Sequence, residues 1–447
     1  MDREILGRRE ILALVAATGG VGAANAVGDY MRDSTDEQKP EKPPDESESA
    51  NAEQGTETPK PDPEVRLEDH GGVVDGTTDD TDALLSALNE AAPDGTVRLP
   101  EGDILIGSRA DDAIHLVHRH RGVTIAGSGP GLTRLKMASG HNAVHRGIVV
   151  TPSQKDEITG ITIRDLTLDG QGLTQNYNIA NGITVLSGDG TGYPLTIENC
   201  VIRDWATNGC QLREPGTRIF DSSIVMNGRK QEEMTGKDGH GVAAFIGDNP
   251  NGRTLIQRCL LQGNTGAGAD NKGGNMTIRD SVIDDCGYGV KQNSTTNIQI
   301  ISNTRISNLR TEPGVYTIPQ DSEGGDLILN DVCIENATDP ALLFPSGGSV
   351  TGTHIHLRHT NTESSQPASV VIKDEGRSLD IGQLVIYEVE QGDAMFLKEC
   401  TGSIEQLVHD GSPDGVGKLS EVQVDEVVED DSATVDVPQV GDVGASS

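Results

Sequence analysis

The sequence predicts an all-β solenoid, a fold in which many short strands stack into a thin and repetitive core. A short phrase, Ile-x-(Asp/Asn)-x-x-Ile, returns along the chain with gaps of 22 to 37 residues between its third positions. The shortest gaps match one turn of a solenoid. The composition agrees, because 447 residues include 55 Gly but only 1 Trp, 6 Tyr and 4 Phe. So few large side chains argue against a two-layer globule with a thick core.

Each copy of the phrase contains strands too short to bury a face alone, so stacked copies must bury one another. Asn or Asp at the third position suits a tight turn, where its side chain bonds nearby backbone. An antiparallel β-sandwich is the alternative, but hairpin turns of the Asn-Gly or Asp-Gly type are not regularly spaced here. The copies are Ile163-Arg164-Asp165, Ile197-Glu198-Asn199, Ile219-Phe220-Asp221, Ile278-Arg279-Asp280, Ile301-Ser302-Asn303 and Leu329-Asn330-Asp331, with Ile256-Gln257-Arg258 as a degenerate copy.

A short amphipathic helix is predicted ahead of the repeats, over residues 80–91. Asp80 or Thr81 can act as its N-cap, and Leu84, Leu85 and Leu88 form its apolar stripe. The first turn of a solenoid leaves strand edges unpaired, and a helix of this kind covers them.

The opening of this region resembles a known family. Asp75-Gly76, the run Asp79–Leu84 and the run Val97–Gly102 are similar to the start of pectate-lyase-superfamily proteins, including their rhamnogalacturonase-like and epimerase-like members. The resemblance covers about 65–410, and we place the domain at 65–418. It implies a right-handed, single-stranded parallel β-helix with an N-terminal capping α-helix, acting on or binding an extracellular polysaccharide.

The N-terminus predicts export. Arg8 and Arg9 precede an apolar run, Ile11–Ala17, and residues 1–26 end in the cleavage-like Ala24-Asn25-Ala26. The arginine pair resembles the twin-arginine signal of proteins that are exported already folded, so we expect a secreted or cell-surface protein. A cytoplasmic protein with a frayed start is the alternative. Residues 27–64 read as an acidic, Pro/Glu/Ser-rich disordered linker, and 419–447 as an acidic disordered tail in which one weak strand is conceivable.

The charge balance limits the partners. The chain carries 70 Asp and Glu against 35 Lys and Arg, a net charge of −35, which repels nucleic acid and anionic membranes. No stretch reaches the apolar length of a membrane span, so we expect no membrane insertion of the mature chain. We also expect the protein to be a monomer. An acidic surface that is poor in Lys is typical of proteins exposed to high salt, where screening removes the self-repulsion. We therefore expect a halophilic protein.

Six cysteines could form disulfides in an exported chain, but the repeat argues against one pair. Cys200 and Cys259 occupy the same point of units two turns apart, about 10 Å at ~4.8 Å per turn, which is too far for a disulfide. The six are interpreted as small buried hydrophobic residues. No spacing typical of a metal site connects them.

A strip of charged residues is predicted on the concave sheet that forms the substrate groove in this fold. Alternation along the strands turns Cys210 and Leu212 inward, and turns Gln211 and Arg213 outward. The outward set also contains Thr184, Ala243, Phe245, Asp270, Lys272, Lys291, Asn293 and Tyr316, and Asp238 and His240 come just before one of the strands. Lysines are scarce between 156 and 372, yet Lys230, Lys237, Lys272 and Lys291 fall close together. A cationic groove with interspersed acids fits an acidic, uronate-containing polysaccharide, although these lysines could simply balance an acidic surface.

The resulting hypothesis is a lyase that cleaves a uronate polysaccharide by β-elimination. Lys291 or Lys272 would be the base, if neighbouring cations lower its pKa, and Arg213 would neutralise the carboxylate. His240 or Tyr316 would lie near the leaving oxygen, with Gln211 and Asn293 binding substrate. Asp238 and Asp270 could instead hold Ca²⁺.

Other functions stay open at this point. Gly-His-Gly at His240 resembles a polygalacturonase motif, but the three aspartates and the Arg-x-Lys of that motif are missing, and a histidine that orders its turn is the alternative. An inverting glycoside hydrolase would use Asp238 and Asp270 as its carboxylate pair. A non-catalytic surface solenoid would bind glycans only.

Overall fold

The structure is a computed structural model. It describes residues 63–107, 112–140, 145–151, 160–177, 179–186, 195–246, 253–293, 298–318, 325–345, 348–362, 366–372, 377–389, 392–410, 417–418 and 421–429. The predicted signal peptide, nearly all of the predicted linker and residues 430–447 lie outside these ranges. Within them, no helix is long and apolar enough to cross a membrane.

The described chain winds into a parallel β-helix, as predicted. One sheet, called the groove sheet below, receives one strand from each turn of the chain, and every pairing in it is parallel. Its strands are Asp112–Leu116, His145–Val150, Ala180–Val185, Cys210–Leu212, Val242–Ala244, Ala267–Asn271, Tyr288–Gln292, Val315–Thr317, Leu342–Phe344, Ala368–Ile372, Asp393–Leu397 and Gly417–Lys418.

The remaining strands form the second wall of the solenoid, bent into two faces. They are Glu64–Arg66, Asp75–Asp79, Thr96–Arg98, Gly102–Ile106, Thr124–Ala126, Thr133–Met137, Ile161–Asp169, Leu195–Arg203, Arg218–Phe220, Ser223–Val225, Arg253–Gln257, Leu260–Gln262, Asn275–Arg279, Val282–Asp284, Gln299–Leu309, Leu327–Ala337, Ser349–Thr360, Ser378–Val389, Thr401–His409 and Glu421–Glu429. Short 3₁₀ turns at Leu67–His70, His118–His120 and Gly172–Thr174 and a helix at Arg229–Thr235 interrupt the repeat.

The third position of the repeated phrase forms the bend in that second wall. Asp165, Asn199, Asp221, Asp280, Asn303 and Asp331 all have φ between 43° and 58°, and so does Arg258 of the degenerate copy, at 52°. Asn and Asp tolerate this left-handed conformation better than other side chains. They also bond to one another along the stack, as where Asn199 Nδ2 donates to Asp165 Oδ1 over 2.6 Å. The predicted turn is confirmed in each copy.

The core is a set of aliphatic columns, with Val, Ile and Leu from successive turns in contact. One large side chain breaks the pattern. Trp205 is 1% exposed, and its Nε1 donates to the Leu168 carbonyl over 3.3 Å. Gly147 and Gly182 lie against its ring, where a Cβ would come within 2.6 and 2.8 Å of ring atoms. A buried ladder of Asn227 and Asn264, joined at 3.0 Å, continues the interior on the next turns.

The predicted helix spans Thr81–Ala91 and buries Leu84 and Leu88 over the first turn. Its capping differs from the expectation. Asp80 makes no cap bond but accepts the N–H groups of Val73 and Val74, at 2.7 and 3.1 Å. The Thr81 N–H bonds Asp79 Oδ1 instead, at 3.0 Å. Asp80 therefore ties the preceding loop to the helix.

The solenoid extends beyond the predicted boundary at residue 418. Glu421–Glu429 pairs in parallel with Thr401–His409 and adds one more strand to the second wall. Val422 is buried beneath it, so the alternating valines of this segment do form a strand. The acidic composition suggested a solvated tail, but parallel pairing with the preceding strand, together with buried Val422 and partly buried Val424, makes a terminal strand.

The cysteines are all free, and five of the six are buried. Register explains the pair considered above. The Cys200 N–H bonds Ser222 Oγ, and Ser223 in turn pairs with Leu260, so Cys200 and Cys259 are two turns apart, as predicted, with one turn between them. Burial raises the pKa of Cys200 to about 12, as expected for a thiol that only fills the core.

Candidate functional site

The groove sheet carries two columns of outward positions. Register aligns Thr184, Gln211, Ala243, Asp270, Lys291 and Tyr316 in the first column. The residues that follow the strands form the second, in which Arg213, Phe245, Lys272 and Asn293 each donate a backbone N–H to the turn before. Cys210 and Leu212 are fully buried while Arg213 is exposed, so the predicted alternation is confirmed there. Thr184, Ala243 and Asp270, however, are buried.

Val290 and Lys291 provide a direct test of this facing, because they are adjacent in one strand and their side chains point to opposite faces of the sheet. Val290 is fully buried, whereas Lys291 is partly exposed. We expect Val290→Ala to lower the free energy of unfolding by about 1–3 kcal/mol through lost methyl groups and a cavity. Lys291→Ala should change it by less than about 0.5 kcal/mol. Thermal melting of both variants in the same salt measures this, and the reverse order would contradict the facing.

Asp270 is the centre of the site, and it corrects the expectation of a surface carboxylate. Its side chain is 0% exposed, because neighbouring turns cover it. His240 Nε2 lies 3.1 Å and Lys272 Nζ 3.2 Å from its Oδ2. Asn293 Nδ2 donates to its Oδ1 over 3.0 Å. Four predicted site residues from three turns thus meet at one buried carboxylate, whose charge Lys272 offsets.

His240 has a defined protonation state. The Ala267 N–H donates to its Nδ1 over 3.0 Å, which leaves the proton of the neutral ring on Nε2, facing Asp270. Burial lowers the pKa of His240 to about 4, although the Asp270 carboxylate acts in the opposite direction. Gly266 permits the approach, since a Cβ there would come within 2.5 Å of Nδ1. With both nitrogens engaged, His240 orients Asp270 rather than acting as a free base.

A cation–aromatic stack continues from Lys272 towards the N-terminal turns. Lys272 Nζ lies 4.6 Å and Arg213 Cζ 5.7 Å from the centroid of the Phe245 ring. Lys272 is on the turn after Phe245, and Arg213 is on the turn before it. Such contacts hold two cations in fixed positions without neutralising them. On the strand that precedes Arg213, Gln211 Oε1 accepts a 2.7 Å hydrogen bond from Asn181 Nδ2.

Lys291 faces a different set of groups on the C-terminal side of Asp270. Its Nζ lies 5.1 Å from the centroid of the Tyr288 ring, which is parallel to Tyr316 at 6.2 Å. Tyr288 hydrogen-bonds the Glu312 carboxylate. Burial raises the pKa of Glu312, and nearby carboxylates, Asp238 among them, raise it further. Burial and Glu312 also raise the pKa of Tyr316, so its hydroxyl keeps its proton.

These surroundings differ from those that the lysine-base hypothesis required. That hypothesis needed cations around Lys272 or Lys291, but Lys272 contacts a carboxylate, and Lys291 lies among tyrosines and acids. Sequence reasoning assigned no role to Phe245, Tyr288 or Glu312. Strand alternation had placed Phe245 in the groove. No motif or strand alternation in the sequence marked Tyr288 or Glu312 as groove residues.

The two aspartates proposed for Ca²⁺ do not form a joint site. Asp238 is exposed at the edge of the groove, and partial desolvation of its carboxyl group, with nearby Glu232, raises its pKa. Asp270 is already surrounded by nitrogen donors of His240, Lys272 and Asn293, which a hard cation would have to displace. Among the described residues, no three His, Cys, Asp or Glu side chains are arranged to hold a metal. The same geometry argues against Asp238 and Asp270 as an open hydrolase pair.

Comparison with known proteins agrees with this fold. Residues 181–365 match the family described as a right handed beta helix region. The A-module of mannuronan C-5 epimerase AlgE6 from Azotobacter vinelandii superposes with a TM-score of 0.59 at 16% identity, over 82% of this chain and 99% of that module. That likeness concerns the fold alone. The chain is an all-β, right-handed parallel β-helix.

Curated relatives match part of the chain. Mannuronan C5-epimerase AlgE4 of Azotobacter vinelandii is 29% identical over 172 residues, which are 37% of this chain and 31% of that protein. Alginate lyase 7 of the same organism is 32% identical over 148 residues, 32% of this chain and 17% of that protein. The matched stretch therefore spans a third or less of these relatives.

Proposed function

We propose that the groove binds an acidic polysaccharide of the alginate type and that the chain removes the C5 proton of a uronate residue. The observation that carries this proposal is the constellation at Asp270, where a buried carboxylate holds Lys272 and His240 in place beside Arg213 and Phe245. Relatives named for epimerisation at C5 and for alginate lysis add support. Removal of the C5 proton is the step that these two reactions share.

The cations of the groove have the first role. Arg213 and Lys272 bind the uronate carboxylate, and their charge stabilises the enolate that forms when the C5 proton leaves. Because Phe245 lies between them, the two cations reach the groove two turns apart, each one turn from the ring. Gln211 and Asn293 hydrogen-bond the sugar hydroxyls from the same columns.

Proton transfer is the second role. A basic side chain of the groove takes the C5 proton, and the electron pair passes into the carboxylate. The enolate then has two outcomes. Expulsion of O4, with a proton from Tyr316, gives an unsaturated sugar and a broken chain. Return of a proton to the opposite face of C5 gives the epimer and leaves the chain intact.

The products of the parent protein decide among these functions. The protein is incubated with polymannuronate, alginate and pectate in D₂O at high salt. We expect deuterium at C5 of the product, or the ultraviolet absorbance of an unsaturated uronate. New reducing ends without either signal would indicate a hydrolase and contradict the proposal. Binding without any chemical change would indicate a non-catalytic solenoid and contradict it as well.

Export fits this function, because polyuronates of this kind are extracellular. We propose secretion by the twin-arginine route through residues 1–26. Replacing Arg8 and Arg9 with Lys is expected to leave the precursor inside the cell, which fractionation and immunoblotting measure. Unchanged secretion of the variant would contradict the proposal.

A further inference from the structure

The N-terminal turns of the solenoid have an unusual charge. No Asp or Glu occurs between residues 113 and 155, in a chain that contains 70 of them. The same stretch contains Arg119, Arg121, Arg134, Lys136, Arg146 and Lys155. Because the whole chain carries a charge of −35, its net field repels a polyanion, and a stretch without acids weakens that repulsion locally.

Two of these arginines lie beside the groove. Arg119 and Arg121 follow the first groove strand, Asp112–Leu116, through the 3₁₀ turn His118–His120. They follow the carboxyl end of that strand, the same end at which Arg213 follows the strand Cys210–Leu212. Backbone hydrogen bonds from Thr151, Leu186 and Arg213 to the turns before them mark three turns between the two places. At ~4.8 Å per turn the separation along the axis is about 14 Å.

These arginines also lack the partners that most others have. In the described part of the chain, nine arginines form ion pairs: Arg98, Arg134, Arg164, Arg203, Arg229, Arg258, Arg305, Arg310 and Arg358. Arg119, Arg121 and Arg213 have no carboxylate within 4.0 Å among the described residues. Arg134, in the same acid-free stretch, contacts Asp103 and Asp169 and is not available. Arg119 Nε donates to His120 Nε2 over 3.3 Å, but its charge, like those of Arg121 and Arg213, is not offset by a described carboxylate. Such a guanidinium is suited to a carboxylate from outside.

We propose that Arg119 and Arg121 form a second anchoring point for the same polysaccharide, three turns before Arg213. This inference rests on the proposed function. One stretch of the polyuronate lies at Asp270 and Arg213, and its extension follows the groove edge to the acid-free turns. His115, exposed in the first column of outward positions and hydrogen-bonded to Thr151 at 2.7 Å, lies along that path. The anchor binds only chains long enough to span both places.

The test compares long and short substrates in a double variant, Arg119→Gln with Arg121→Gln. We expect KM for the polymer to rise roughly three- to tenfold, from two exposed ion pairs, with kcat unchanged. Oligosaccharides too short to leave the Asp270 region should keep their KM. The matched control is Arg358→Gln, which removes an exposed guanidinium bonded to Glu388 at 2.9 Å on the C-terminal turns and should leave both KM values unchanged.

Three other outcomes separate the possible failures. An unchanged KM for the polymer, or an equal rise for long and short substrates, would overturn the second anchor while the proposed function stands. A rise of the same size in the Arg358 variant would show a general charge effect and would also overturn it. A parent protein that neither binds nor modifies any polyuronate would fail the proposed function itself. Melting curves of all variants in the assay salt establish that each is folded.

Discussion

Replacing Asp270 by asparagine is expected to lower turnover on polyuronate by roughly 10²–10⁴-fold, because it removes the charge that positions Lys272 and His240. The variant should also lose stability. Removing one partner of a fully buried pair costs about 3–5 kcal/mol, and the cost here is smaller, about 2–3 kcal/mol, because Lys272 keeps 30% of its side chain exposed. Urea unfolding and steady-state kinetics on the same preparation measure both effects.

Asp238→Asn is the matched control for that change. It replaces a carboxylate of the same size, two residues before His240, but on the exposed edge of the groove. Its stability should change by less than about 0.5 kcal/mol. If Asp270→Asn left both turnover and stability unaffected, the buried carboxylate could not be the centre of the site. If it lost stability but kept its turnover, Asp270 would have a structural role only.

Trp205→Ala is expected to destabilise the fold by about 3–5 kcal/mol, the usual cost of removing a large buried aromatic side chain. The ring fills the space beneath Gly147 and Gly182, which lie on two adjacent groove strands. These strands cannot close over a cavity of that size. In a solenoid each turn contacts only its neighbours, so the loss should be local to the first groove strands. Far-UV circular dichroism during heating should then show an early partial transition.

Trp205→Phe keeps an aromatic ring at this position but loses the Nε1 donor to the Leu168 carbonyl and part of the indole volume. We expect a smaller loss, about 1–3 kcal/mol, since the buried carbonyl loses its side-chain donor. An alanine variant as stable as the phenylalanine variant would mean that the ring does not support the groove sheet.

The left-handed turns and the facing of the groove strands could be predicted from the sequence. Both depend on local chemistry. Asp165 and Asn199 are residues that tolerate a positive φ, and the two-residue period of a strand fixes which of Val290 and Lys291 points inward. The capping helix followed in the same way from the spacing of Leu84 and Leu88. These properties need only the few residues on either side.

The site was decided by contacts between turns, which sequence spacing does not encode. Alternation turned Asp270 towards the groove correctly, but His240, 30 residues earlier, and Asn293, 23 residues later, cover it and make it a buried carboxylate. The pairing of Tyr288 with Glu312 likewise joins side chains from two turns. Side-chain direction is a property of one strand, whereas burial and charge pairing depend on which side chains the neighbouring turns bring within hydrogen-bonding distance. Only the stacked structure determines that.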